Sequence, residues 1–201
     1  MIFTSNINKI RNFICICLSF INFIYSANFA VLVAGSNTWY NYRHQAEVFH
    51  SYQTIINKYS IPKENVIVFA YDDIANNSEN EFQGKVFNSP SPNSPGVDVY
   101  EGVVIDYKDE NVDPKLFLEV LKGNKEAVKG KGSERVLEST KDDNVFIYFS
   151  DHGAPGVIAF PIIYLYAKDL IDTLKYMFDN QKYGKLLFYI EACESGSMFK
   201  D

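Results

Sequence analysis

The run KLLFYIEACESGS, residues 185–197, contains both a core strand and a reactive side chain. Residues 186–190 are apolar and partly aromatic, and the run is too short for an independent helix but typical of a buried strand. Cys193 follows between two glutamates, Glu191 and Glu194. A cysteine on a loop just beyond a buried strand is held by a rigid element and stays open to solvent, which suits a nucleophile. A small packing residue at a strand end is the alternative interpretation.

The N-terminus has the pattern of a secretory signal peptide. Lys9 and Arg11 precede an apolar stretch at 13–25, FICICLSFINFIY, and small residues follow. The stretch is short for a membrane span, so we expect a cleaved signal peptide over residues 1–26. Cleavage removes two basic residues and no acids, which changes the formal charge from −6 to −8. It also removes Cys15 and Cys17, so that Cys193 is left as an unpaired thiol in a compartment that favours disulfides.

Composition limits the class of protein. The chain has 201 residues, of which 47% are hydrophobic and 15% aromatic, so it can form one domain with a sizeable core. The pI of about 5.1 and the negative net charge argue against a nucleic-acid partner, which would require a basic face. Asn76-Asn77-Ser78 is a glycosylation sequon that is compatible with secretion.

Hydrophobic patterning predicts strands that alternate with helices. Four apolar runs of strand length lie at 29–34, 65–70, 144–149 and 185–190. Helical spacing of apolar residues predicts helices at 42–59, from Pro114 to a stop at Gly123, and around 170–178. We expect irregular structure at 71–97, a small hairpin at 99–107, a connecting segment at 125–141 and a short outer strand at 157–160.

This alternation indicates an α/β domain with a mainly parallel sheet and helices on both faces. Loops beyond the carboxyl ends of parallel strands carry the functional site in such sheets. The third and fourth strands are joined by a single helix, so we expect them to be neighbours. His152 and Cys193 then lie on adjacent loops at the same sheet edge.

His152 and Cys193 together have the chemistry of a thiol hydrolase. A thiol that attacks a carbonyl needs a base to take its proton and later return it to the leaving amine, and histidine titrates in the range for both. Gly153 allows close approach of the backbone, as an oxyanion site requires. Taken alone, His152 could be a capping histidine, and His50, which lies within a predicted helix, is interpreted as structural or surface.

Other sites find little support. The residues after the first strand match neither a dinucleotide nor a Walker sequence, and Ser195 and Ser197 lack the G-x-S-x-G elbow. One cysteine and three scattered histidines match no standard zinc spacing, so we predict no metal and no cofactor.

Four blocks resemble the legumains, the asparaginyl endopeptidases (hemoglobinases) of peptidase family C13. They are FIYFSDHG, FYIEACESGS, VLVAGSNTWYNYRHQAEVFHSYQ and VIVFAYDDIA, and the likeness extends from residue 29 to the last residue. The resemblance implies a caspase-like fold and cysteine-dependent cleavage after asparagine. It implies that Cys193 is the nucleophile, His152 the general acid/base and Asn41 the residue that orients the histidine. The N–H groups of Gly153 and Cys193 would line the oxyanion hole.

The resemblance also implies a specificity pocket. An asparagine carboxamide offers an acceptor oxygen and a donor NH₂, so its pocket needs a cationic donor facing an acidic acceptor. Arg43 and Glu191 match the family positions for these roles, with His44 beside them. Aspartate would fit once a carboxyl is protonated, which predicts aspartate cleavage at lower pH.

The chain also departs from the family pattern. It stops soon after Cys193, before the further strands, the second pocket acid and the prodomain that legumains carry. We therefore expect residues 27–201 to be the N-terminal part of a catalytic domain, truncated after the fourth main strand and not a competent protease as it stands. Lys122-Gly123-Asn124 replaces an Arg-Gly-Asp sequence, and Ile162-Ile163 replaces an acidic pair.

The expected partners follow from the family. They are protein or peptide substrates with asparagine at the cleavage site and, by resemblance, cystatin-type inhibitors, with no membrane association after signal cleavage. The expected location is a lysosome-like vesicle or the exterior. A truncated inactive relative that acts by binding, and a GPI-transamidase-like enzyme, are the alternative functions.

Overall fold

The computed structural model describes residues 26–89 and 96–200. The predicted signal peptide, apart from Ser26, lies outside the described residues, and so do the three prolines between 90 and 95. In chain order the regular elements are β1 (Asn28–Ala34), α1 (Tyr42–Asn57), β2 (Val66–Phe69), α2 (Pro114–Lys122), β3 (Asn144–Ser150), β4 (Gly153–Ala154), β5 (Val157–Ala159), β6 (Tyr164–Tyr166), α3 (Ala167–Asp179) and β7 (Lys185–Glu191).

A four-stranded sheet of order β2-β1-β3-β7 forms the centre of the fold, and every neighbouring pair is parallel. β1 and β2 are buried on both faces because helices cover both sides, which explains their continuous apolar sequence. β7 alternates between exposed and half-buried residues, as expected of a strand at the sheet edge. The predicted neighbour relation of the third and fourth main strands is confirmed.

Two hydrophobic cores lie on opposite faces of this sheet. α1 packs on one face, where Phe49 and Tyr52 meet Leu32 and Val68. α2 and α3 pack on the other, where Phe117 and Leu170 join a core that includes Phe149. The predicted α/β fold with helices on both faces is confirmed, as a caspase-like arrangement requires.

The ends of α2 follow the sequence signals. Asp113 caps the helix by accepting a hydrogen bond from the Leu116 N–H at 2.9 Å, and Pro114 occupies the first helical turn. Gly123 ends the helix in the left-handed region, with φ of 72°. Both predictions are confirmed, because these signals are local and need no tertiary partner.

The predicted hairpin at 99–107 is wrong. The end of this segment instead runs alongside β2, with Tyr107 bridged in parallel to Phe69. Asp106 fixes it there: its carboxylate accepts a hydrogen bond from the Val68 N–H at 3.0 Å and pairs with Arg135 at 2.9 Å. The segment therefore covers the outer edge of β2, so its apolar residues are not free to pair with each other.

The chain after β3 forms a second, antiparallel sheet of order β4-β5-β6. The predicted outer strand at 157–160 is confirmed as β5, whereas β4 and β6 were not predicted because they are only two and three residues long. Among the described residues, no helix is long and apolar enough to cross a membrane.

Candidate active site

The register between β3 and β7 brings the loops that carry His152 and Cys193 to the same edge of the sheet. Ser150 is paired with Glu191, and the Asp151 N–H donates to the Glu191 carbonyl at 3.1 Å, so the ladder continues one residue past β3. His152 and Cys193 each lie two residues beyond this pair. They therefore leave the same edge of the sheet at the same height, as the sequence predicted.

Gly153 lies directly against the cysteine loop, which follows β7 and carries Cys193. A Cβ atom at this position would fall 2.3 Å from the Cys193 carbonyl oxygen and 3.1 Å from the Ala192 Cβ, so a larger residue would push the loops apart. Cys193 itself is a free, exposed thiol. The residue after it, Glu194, adopts a left-handed conformation with φ of 56°, which turns the chain sharply and leaves the thiol at the surface.

Ser197 connects the loop that carries Cys193 to the β4–β5 hairpin, which follows His152. Its hydroxyl donates to the Glu194 carbonyl at 2.6 Å and accepts a hydrogen bond from the Gly156 N–H at 2.8 Å. Gly156 is in the turn between β4 and β5, immediately after the segment that carries His152 and Gly153. The Ser197 side chain therefore adds a direct link between the two loops.

Asn41 fixes the tautomer of His152. The Asn41 Nδ2 donates to the Asn37 carbonyl at 3.0 Å, which leaves its Oδ1 as the atom that faces His152 Nε2, also at 3.0 Å. An amide oxygen only accepts, so His152 carries its proton on Nε2 and keeps Nδ1 free to accept another. Asn41 is thus in contact with His152, and its role in orienting that histidine stays a prediction.

The loop that carries Asn41 is held in place by a residue that follows β2. Thr38, in an unusual conformation with φ of 72°, accepts a hydrogen bond at its carbonyl from the Asn41 N–H at 3.0 Å. Asp73, just after β2, holds this loop by accepting hydrogen bonds from the Thr38 N–H at 2.6 Å and the Gln45 amide at 2.7 Å. Asp73 was not singled out from the sequence.

His44 lies beneath the site, away from solvent. It is 3% exposed, and its ring stacks edge-on against His152 with centroids 5.0 Å apart. Its Nδ1 is 2.7 Å from the Ser36 hydroxyl and 3.1 Å from the buried Asp151 carboxylate. Arg43, the residue before it, is exposed. Arg43 and His44, which were both predicted to bind substrate, therefore face in different directions.

Glu191 belongs to a network of hydroxyl and carboxylate groups at the end of β3. Tyr148 donates to the Glu191 carboxylate at 2.5 Å, and Ser150 donates to Glu47 of α1 at 2.6 Å. Burial, the hydrogen bond to Glu191 and the charges of Glu191 and Glu47 raise the pKa of Tyr148 far above its usual range, so Tyr148 stays a donor. Arg43 lies one helical turn before Glu47 on the same side of α1.

A cleft of about 390 Å³ opens beside Glu191 and the cysteine loop, between Tyr148, Ser195 and Phe199. A larger cavity of about 1410 Å³ lies between α2, β6 and α3. The smaller cleft is lined by Glu191 and by Ser195 and Gly196 of the loop that carries Cys193, so it is the candidate substrate site. Arg43 does not line it, and within the described residues no hydrogen bond or ion pair joins Arg43 to Glu191.

Comparison with known proteins places the chain among peptidases of one family. The model of the Peptidase C13 family matches residues 28–201. The chain is 56% identical to legumain of Rattus norvegicus over 171 residues, 85% of this chain and 38% of that protein. It is 55% identical to hemoglobinase of Schistosoma japonicum over 170 residues, again 85% and 38%. It is 51% identical to the vacuolar-processing enzyme delta-isozyme of Arabidopsis thaliana over 172 residues, 85% and 36%. The chain thus spans just over a third of the length of these relatives.

Proposed function

This chain belongs to the Peptidase C13 family, and from that premise we propose that it supplies the catalytic dyad of a cysteine endopeptidase that cleaves after asparagine. The observation that carries the proposal is the β3–β7 register, which aligns His152 with Cys193 while Asn41 orients the histidine. The proposal covers the activity, the substrate and the roles of the individual residues.

In the proposed reaction, His152 takes the thiol proton on Nδ1, the nitrogen that its contact with Asn41 leaves unprotonated. The Cys193 sulfur attacks the carbonyl carbon, and the imidazolium returns its proton to the leaving amine as the C–N bond breaks. Water then attacks the resulting thioester while His152 accepts one of its protons. The C–S bond breaks, the proton returns to the Cys193 sulfur, and the second product leaves with a free carboxyl group. No external oxidant or metal is required to balance these steps.

The oxyanion of each tetrahedral intermediate would be bound by the N–H groups of Gly153 and Cys193. The close approach of Gly153 to the Cys193 carbonyl supports this role, because it keeps the two loops within reach of one oxygen atom. A Cβ at position 153 would widen that gap.

The proposed specificity rests on Glu191, which lines the cleft, and on the exposed Arg43 of α1. Glu191 would accept from the NH₂ of the asparagine carboxamide, and the exposed Arg43 would donate to its oxygen. The Tyr148 hydrogen bond supports the role of Glu191, because it holds the carboxylate in one orientation. Aspartate would be accepted at lower pH, when one of the facing carboxyl groups takes up a proton. We place His44 beneath His152 rather than in this pocket.

We further propose that the protein follows the secretory route to a lysosome-like or vacuolar compartment, or to the exterior. The printed name of the plant relative, a vacuolar-processing enzyme, supports this location. Protein substrates with exposed asparagine residues, and cystatin-type inhibitors, are the proposed partners.

The test uses protein expressed from the complete transcript and a set of fluorogenic peptides that end in asparagine, aspartate, glutamine or leucine. Cys193→Ser and His152→Ala should each abolish turnover, and the double variant should lose no more than either single one because the residues act as a unit. Asn41→Ala should lower kcat by about tenfold to a thousandfold, since His152 loses the contact that fixes its tautomer. His50→Ala, which alters an exposed histidine on α1, is the control and should keep full activity.

Arg43→Ala tests the pocket separately from the dyad. Selective cleavage after asparagine should fall by up to about 10⁴-fold, while alkylation of Cys193 by iodoacetamide stays unchanged. Normal turnover in Cys193→Ser would refute the mechanism. Alkylation without turnover on any peptide would favour the binding-only alternative, and peptide transfer to an added amine in place of hydrolysis would favour a transamidase.

A further inference from the structure

Three side chains lie close together where β3 ends, and the proposed reaction uses only one of them, His152. His44, Asp151 and His152 each present a potential ligand atom, and these atoms all lie within 4.8 Å of one another. His44 and Asp151 are buried, with side chains 4% and 2% exposed, whereas His152 is exposed. This cluster was not predicted from the sequence, because His44 lies on α1 whereas Asp151 and His152 follow β3.

One oxygen of the buried carboxylate in this cluster lacks a hydrogen-bond donor. Among the described residues Asp151 Oδ1 has no hydrogen-bond partner, although His44 Nδ1 is 3.1 Å away. The same Nδ1 is 2.7 Å from the Ser36 hydroxyl, and one ring N–H cannot point at both oxygens. When the His44 proton is on Nε2 and the Ser36 hydroxyl turns away, the Nδ1 lone pair and a carboxylate oxygen face each other in a buried space. A cation between them would satisfy both.

We propose that His44, Asp151 and His152 form a binding site for a divalent cation of the Zn²⁺ type, and that occupancy of this site switches the protease off. Two imidazoles and one carboxylate are a ligand set that zinc uses in proteins, and the fourth position would be left to water.

The spacing of the donor atoms suits such an ion. Zn–N and Zn–O bonds of about 2.0–2.2 Å place neighbouring tetrahedral ligands about 3.3–3.5 Å apart. The His44 and Asp151 atoms are already 3.1 Å apart, so His152 is the residue that would move to complete the set. His152 is the exposed member, and it also offers the ion its route in from solvent.

Asn41 selects the nitrogen of His152 that would bind the ion. Since Nε2 donates to Asn41 Oδ1, Nδ1 is the nitrogen free for a metal, and a ligand histidine usually keeps such a partner on its other nitrogen. Nδ1 is also the atom that would take the Cys193 proton. The ion and the thiol therefore compete for one lone pair, and bound metal would stop catalysis without contacting the sulfur.

Metal binding is tested first, by a measurement that does not depend on activity. In a Cys193→Ser background, isothermal titration with ZnCl₂ should show one site per chain that weakens by more than about 100-fold in Asp151→Asn and in His44→Ala. Co²⁺ should give visible d–d bands without a sulfur charge-transfer band. His50→Ala is the matched control and should bind as its parent does. Asp151→Asn is nearly isosteric, so it reports on the site even where His44→Ala does not fold, which near-UV circular dichroism checks.

Inhibition is tested second, and this arm rests on the proposed function. Zn²⁺ should inhibit peptide hydrolysis reversibly with EDTA, and Asp151→Asn should raise the inhibitory concentration at least about tenfold. Equal zinc binding in all variants, or binding that disappears with Cys193, would overturn the proposed site. Binding without inhibition would overturn the switch alone. A protein that binds zinc but cleaves no peptide would contradict the proposed function and leave the metal site standing.

Discussion

At the scale of single residues, function depends on which polar atoms of each side chain already have a hydrogen-bond partner. Asn41 uses its NH₂ group on Asn37, so its oxygen faces His152 and fixes the imidazole tautomer. Tyr148 acts in the same way on Glu191, because burial keeps its hydroxyl protonated and therefore a donor. Residues outside the proposed dyad and pocket thus set the hydrogen bonding of His152 and Glu191.

Tyr148→Phe tests this indirect role. Without the hydroxyl, the Glu191 carboxylate is no longer held in one orientation, so we expect KM for asparagine peptides to rise about tenfold with a smaller change in kcat. Iodoacetamide should still alkylate Cys193 at the normal rate. The control is Tyr107→Phe, which removes a buried hydroxyl bonded to the Arg135 carbonyl on the other side of the sheet. An unchanged KM in Tyr148→Phe would mean that Glu191 is positioned by other groups.

At the scale of elements, polar side chains at strand ends hold the parallel sheet in register. Asp143 illustrates this at the start of β3. Its carboxylate accepts hydrogen bonds from the Ala27 N–H and from the N–H and hydroxyl of Thr140, each at 2.8 Å. Its carbonyl accepts from the Gly184 N–H just before β7 at 2.7 Å. One residue therefore ties together the beginnings of three neighbouring strands, β1, β3 and β7.

Acid should weaken this junction. Burial tends to raise the pKa of Asp143, but the hydrogen bonds from Ala27 and Thr140 outweigh it and leave the pKa below its usual value of 3.8. A carboxyl with a lowered folded-state pKa stabilises the fold above the unfolded-state pKa, and this contribution is lost as pH falls through the folded-state value. The free energy of unfolding should therefore decrease below about pH 4. Cleavage before Ala27 would strengthen the contact by placing an ammonium group there.

Asp143→Asn provides the measurement. Urea denaturation should show a loss of about 1–2 kcal/mol at pH 7 and a shallower decrease between about pH 4 and pH 2. Asp142→Asn is the control, because its carboxylate contacts only the neighbouring Lys141 at the surface. Identical pH profiles for the parent and Asp143→Asn would show that this carboxylate does not stabilise the fold.

At the scale of the whole molecule, the two edges of the main sheet differ. The segment that contains Asp106 and Tyr107 covers the outer edge of β2. At the opposite edge, no strand among the described residues pairs with the outer side of β7, and Leu187 and Tyr189 are 51% and 58% exposed. An exposed, partly apolar edge strand is a site where two chains can pair.

We therefore expect the 201-residue polypeptide to associate through β7. Sedimentation velocity should show dimers or larger species that increase with concentration, and Tyr189→Lys should shift the distribution toward monomer. Phe178→Lys, which places the same charge at an exposed position of α3, is the control and should leave association unchanged. A monomer at all concentrations in the parent chain would remove this interpretation of the β7 edge.

The sequence by itself determined the elements and the approximate position of the dyad. Buried parallel strands have continuous apolar sequences, α2 is bounded by Asp113 and Gly123, and the carboxyl ends of parallel strands meet at one edge. These signals are local or follow from topology. For this reason the four main strands, the three helices and the neighbouring loops of His152 and Cys193 were predictable.

Only the tertiary structure decided the polar contacts between distant segments. Four contacts of this kind join residues far apart in the sequence. They are Asn41 with His152, His44 with Asp151, Tyr148 with Glu191, and Asp106 with Val68 in place of a predicted hairpin. Apolar burial is non-directional and needs only a periodic pattern, whereas a hydrogen bond needs particular atoms within about 3 Å. That placement exists only once the strands have taken their order and register.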